Sequence, residues 1–136
     1  MQASFSTSGE VIQFNINMMY LETNFFLYAS TGKGIDSIAP DLVQGPLPIG
    51  LKIANLDHVT SQIIKEFGLE EVGMIRAILK TKLVGPIQMP LVNLSVEAWD
   101  DFVRLAFNVS VSAPTFNTYA NTINFLPTGA AITPLL

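Results

Sequence analysis

The 136-residue chain contains no cysteine, so disulfides, thiolate metal sites and cysteine nucleophiles are excluded outright. Charge is scarce as well. Asp, Glu, Lys and Arg make up 13% of the residues, about half the usual share, whereas 49% are apolar. Seven basic against eleven acidic residues give a net charge of −4, and Lys and Arg nowhere gather into a stripe, which disfavours binding to nucleic acid. The first nine residues have neither the basic start nor the continuous apolar run of a secretory signal, and the compartment stays open. No charged residue follows Arg104, but Asn, Ser, Thr, Pro and Gly interrupt that stretch, so no transmembrane helix is expected. Phosphate-binding glycine loops are missing, and Ser-His-Asp catalysis would rest on the single histidine, His58.

What remains is a mainly helical pattern. The length suits one domain over residues 1–136, with residues 1–9 as a flexible N-terminus. Residues 10–30 carry two apolar stripes at helical spacing, Ile12, Ile16, Met19, Phe26 and Phe14, Met18, Leu21, Phe25, Tyr28. The run is closed by Gly32 and Gly34. A helix apolar over that much of its circumference is packed on several sides, as in a bundle. Residues 35–54 are broken by Pro40, Pro46 and Pro48 and hold at most one helical turn, around residues 38–43. Asp57 reads as the cap of a second long helix over residues 58–83, with Val59, Ile63, Phe67, Ile75, Ile78 and Leu79 as its apolar face. Ser95 caps a shorter helix over residues 96–107. Residues 108–136 read as an irregular tail, in which residues 107–111 alternate like a strand and residues 119–126 start a helix that Pro127 cuts off.

Two acids stand out. Glu22 has Met18, Met19, Phe25 and Phe26 at i−4, i−3, i+3 and i+4, and Glu71 has Phe67, Gly68, Met74 and Ile75. Burying a lone carboxylate costs several kcal/mol, so each acid is protonated, paired or bound to a cation. Two helices that each aim one acid at a shared interior resemble half of a bundle site for iron or manganese. The alternative is that each snorkels to solvent or pairs with Arg76, Lys80 or Lys33, while Glu66 and Glu70 form a solvated face. Trp99 reads as a packing residue. Asn93-Leu-Ser95 and Asn108-Val-Ser110 satisfy the glycosylation sequon, which matters only in a secreted chain.

Four segments carry a family resemblance. Phe14-Asn-Ile-Asn-Met-Met-Tyr-Leu-Glu-Thr-Asn-Phe-Phe-Leu-Tyr-Ala29 with Thr31-Gly-Lys-Gly34 comes first, then Ile49-Gly-Leu-Lys-Ile-Ala-Asn-Leu-Asp57. Ile64-Lys-Glu-Phe-Gly-Leu-Glu-Glu-Val-Gly-Met-Ile-Arg-Ala-Ile78 and Phe116-Asn-Thr-Tyr-Ala-Asn121 follow. In this order they resemble the plant desiccation-related proteins of the ferritin-like superfamily. The resemblance implies a partial ferritin-like helical bundle, with a metal-ligating Glu on the first helix, matched by Glu22, and a Glu-x-x-His on the second, matched by Glu71 but with Met74 in the histidine position. A thioether is a poor ligand for hard iron or manganese. His58 cannot substitute within the helix, being thirteen residues before Glu71, about 20 Å along the axis. The family pattern also implies a further Glu and a further Glu-x-x-His, and beyond Asp101 there is no acid and no histidine.

The expected function is therefore that of a non-catalytic desiccation- or stress-related protein that associates, through apolar surface, with another copy or a helical partner. Two alternatives stay open. One is an iron- or manganese-binding or oxidase-type protein, with Glu22 and Glu71 completed by a second chain. The other is a truncated, marginally stable remnant lacking the second half of the bundle.

Overall fold

The computed structural model describes residues 8–43, 45–82, 89, 91–108 and 114–133. The first helix, α1, runs over Ser8–Thr31 and ends at Gly32, whose φ of +76° suits glycine. From Glu22 to Leu27 every residue of α1 is buried, as the two apolar stripes require. The link after it holds a short helix, α2 (Ile35–Ile38), and a 3₁₀ turn, Pro40–Leu42. Buried polar groups moor both to α1: Tyr20 donates to the Leu42 carbonyl at 2.6 Å, and Asn24 Oδ1 accepts from Ile35 N at 3.0 Å.

The second long helix, α3, spans His58–Lys80, three residues shorter than its apolar pattern suggests. Asp57 Oδ1 caps it by accepting from Thr60 N at 2.8 Å. Ser61 in its first turn donates to the carbonyl of Ser30 in the last turn of α1, so the two long helices run antiparallel. The second half of the expected face of α3 packs inward, with Ile75 buried and Ile78 and Leu79 against the core, but its first half differs from the expected one. Ile64, Gly68, Val72 and Ile75 face α1, whereas Val59, Ile63 and Phe67 are 66%, 48% and 48% exposed. The reason is Gly68: a Cβ there would sit 2.7 Å from Leu27 Cγ and Cδ2, so the absent side chain is what admits Leu27.

The loop after the 3₁₀ turn is pinned by Ile49, which pairs with the strand-like segment before the next helix (Ile49 N to Val92 O 2.9 Å, Leu94 N to Ile49 O 2.8 Å). Helix α4, Val96–Phe107, has the expected bounds. Ser95 caps it, and Asn108 closes it in the left-handed conformation, so residue 108 turns instead of continuing as a strand. Residues 109–113, the rest of the expected strand, lie outside the described residues.

The expected irregular tail contains a fifth helix, α5, over Thr122–Ile132, and it passes through Pro127. Proline removes only the donor to the Ile123 carbonyl, and Ile123 is 81% exposed, where water can take that place. The inner face of α5 buries Phe125, Thr128, Gly129 and Ile132. Its first turn is tied to that of α3, because Thr122 Oγ1 donates to Asp57 Oδ2 at 2.9 Å and accepts from Asp57 N at 3.0 Å. No helix among the described residues is long and apolar enough to cross a membrane.

Candidate functional site: a buried carboxyl pair

Glu22 sits in the middle of α1 and is 1% exposed. Glu71 is half-buried on the facing side of α3. The antiparallel pairing brings the two side chains together, and their carboxyl groups share a hydrogen bond. Among the described residues neither acid forms an ion pair with a cation. Arg76, one of the expected partners, forms its ion pair with Asp41. Snorkelling to solvent is equally ruled out for Glu22 by its burial.

Electrostatics follow from that enclosure. Burial is the main cause that pushes Glu22 up from 4.5 to about 8, the negative charge of Glu71 adds to it, and the hydrogen bond to Glu71 adds last. Glu71 is also raised by burial, with the hydrogen bond from Glu22 working against the rise and the charge of Glu70 adding to it. Glu22, the more deeply buried member, therefore holds the proton at neutral pH and donates it to Glu71. One oxygen on each acid, Glu22 Oε1 and Glu71 Oε2, is buried without a hydrogen-bond partner.

The other candidates stand apart from this pair. Met74, three residues after Glu71, is 46% exposed. His58 is the exposed first residue of α3. Glu66 and Glu70 lie on the exposed side of α3. Trp99 is buried, donates from Nε1 to Tyr119 Oη at 3.1 Å, and packs on Phe25 with centroids 4.8 Å apart. Asn93 is exposed, with its Oδ1 accepting from Ser95 N, and Asn108 is exposed at the end of α4. The hydroxyls of Thr23, Thr118 and Thr128 are buried without partners, a feature that no pattern of the sequence signals.

Measured against a metal centre, this donor set is short. Two carboxyl groups and an outward thioether do not make a site for a hard ion by themselves. Among the described residues no three His, Asp or Glu groups gather where they could hold a metal ion. The two unpartnered oxygens remain available to a donor or a cation from elsewhere.

A family model described as "Ferritin-like domain" matches residues 7–134. The "Ferritin-like catalase Nec2" of Nesocodon mauritianus is 39% identical over 124 residues, which are 90% of this chain and 39% of that protein. The "Desiccation-related protein PCC13-62" of Craterostigma plantagineum is 38% identical over 117 residues, 85% of this chain and 36% of that protein. The chain thus spans less than two fifths of the length of these curated relatives. No solved structure matches it.

Proposed function

Since the chain belongs to the ferritin-like domain family, we propose that it is a non-catalytic, desiccation- or stress-associated member that acts by covering apolar surface against another copy or a helical partner. The observation that carries this reading is the outer side of the long helices, where Phe14, Ile63, Phe67 and Met74 are each between 46% and 49% exposed. Ile63 and Phe67 lie one turn apart on α3, and an exposed apolar patch of this kind marks a site of association. The exchange of the family histidine for Met74 supports the non-catalytic part, and the similarity to a desiccation-related protein supports the association with desiccation. In dilute solution the folded chain should bind an apolar fluorescent dye in its native state, with the signal falling as urea unfolds it cooperatively. A folded chain that binds no dye would sink the reading.

A second reading is favoured by the unpartnered Glu22 Oε1 and Glu71 Oε2. Carboxylates from two chains could together offer oxygen ligands to iron or manganese. Elemental analysis of the purified wild type beside Glu22→Gln and Glu71→Gln separates the two readings. The non-catalytic reading expects traces of metal that neither substitution changes. Stoichiometric iron or manganese lost in both variants would replace it with the metal-binding one.

A further inference from the structure

Helix α5 is unusual for a surface helix, because none of its eleven residues is charged and it is apolar on both sides. Its inner side is covered by α1, where Phe125 stacks on Phe25 at 4.7 Å and Gly129 comes within contact of the Phe26 ring. Its outer side exposes Ile123 (81%) and Leu126 (46%), followed by Ala130, a stripe at i, i+3 and i+7. Beside that stripe lies a groove of about 440 Å³, walled by Phe67 and Ile64 of α3 and Leu126 and Ala130 of α5, with Phe26 and Phe125 as its floor. A helix that is apolar all round is normally buried all round.

We propose that the occupant is the α5 helix of a second copy of this chain, packed antiparallel against its own counterpart across a two-fold axis. This rests on the association reading above and names its partner.

Three features argue for a copy. The first is area. Ile63, Phe67, Ile123 and Leu126 alone offer about 450 Å² per chain, taking roughly 200 Å² for a fully exposed large side chain. Two copies thus bury about 900 Å² before Ala130 and Pro127 contribute, near the roughly 1,000 Å² that a specific contact needs. The second is charge. α3 exposes Glu66 next to the groove residue Phe67 in sequence and Glu70 one turn after it, which would repel an acidic partner, whereas α5 of another copy brings no charge at all. The third is symmetry. A stripe without polar residues gives no code for selecting a foreign helix, but a two-fold contact sets each residue against its own symmetric stripe and needs none. The area is at the lower end of specific interfaces, so the expected dimer is one that dissociates on dilution.

Sedimentation velocity of the full chain, from nanomolar to high micromolar concentration, tests this. The wild type should pass from monomer to dimer, and Leu126→Glu should stay monomeric throughout while keeping its helical circular dichroism. Because the chain has no native cysteine, Leu126→Cys, at the middle of the stripe and so nearest the two-fold axis, gives an independent readout. Under mild oxidation it should form a covalent homodimer, and Gln13→Cys, outside the groove, should not. A wild type that is monomeric at every concentration overturns the proposal. So does a dimer that tolerates Leu126→Glu and leaves Leu126→Cys unlinked, since the copies then meet elsewhere. A monomer that still takes up apolar dye defeats only the pairing of copies, whereas one that takes up none defeats the association reading as well.

Discussion

Replacing Glu22 by glutamine should flatten the pH dependence of stability and leave the metal-free protein more stable than the wild type at pH 9. Glu22 titrates in the folded chain at about 8, against an ordinary value of 4.5. Between those two pH values the folded state holds a proton that the unfolded state has released. The stability owed to that proton is therefore fully present below pH 4.5 and is lost as pH rises through about 8. The span corresponds to something on the order of 5 kcal/mol, a large part of the 5–15 kcal/mol that typically holds a domain folded. Glutamine reproduces the neutral acid in shape, and its amide can donate to Glu71 as the carboxylic acid does, so the buried contact survives without the charge. Urea unfolding of both proteins at pH 5 and pH 9, after treatment with chelator, measures this. Parallel pH profiles in wild type and variant would show that Glu22 does not hold the proton.

The burial of this acid is legible as one of two readings, because its four helical neighbours are all apolar and a carboxyl group on such a face is either enclosed or snorkels to solvent; the packing of α3 decides for enclosure. Its contact with Glu71 was legible for the same reason on the second helix. The unequal enclosure of the two was not, since it depends on which turns of α1 and α3 meet, and that register is set by Gly68. A glycine adds nothing to a hydrophobic pattern, so the pattern points to Val59, Ile63 and Phe67 in the first half of α3, whereas Ile75, Ile78 and Leu79 in its second half do pack inward. The contact in fact centres where Leu27 fills the missing side chain. Helix α4 was read to the residue because Ser95 and Asn108 act locally, one as a side-chain cap and the other as a left-handed stop. The sequence signals helix α5 only as far as Leu126, because Pro127 carries a strong local penalty. Tertiary contact outweighs it: the inner face packs on α1, and Asn121 Oδ1 caps the start by accepting from Asn124 N at 2.8 Å.

Phe25→Ala should be the most damaging single truncation in the chain. Phe25 is fully buried, and its ring is the hub of an aromatic cluster, with Phe125 stacked at 4.7 Å, Trp99 at 4.8 Å, and Tyr119 and Phe26 each at 5.8 Å. Removing it costs about 3–5 kcal/mol for the lost transfer energy and the cavity left behind, which should lower Tm by roughly 10–20 °C. Trp99 is the only tryptophan, so its emission reports this cluster directly and should shift to the red as water reaches the indole. Phe25→Leu keeps most of the volume and should recover most of the loss. Phe25 also stands three residues after Glu22, on the next turn of α1, and forms part of the apolar wall that raises the acid. Water admitted by Phe25→Ala should therefore lower the Glu22 pKa toward its ordinary value and weaken the pH dependence described above, whereas Phe25→Leu should preserve it. If Phe25→Ala lost stability but kept the full pH dependence, the enclosure of Glu22 would owe nothing to the aromatic cluster and would have to come from the packing of α3 alone.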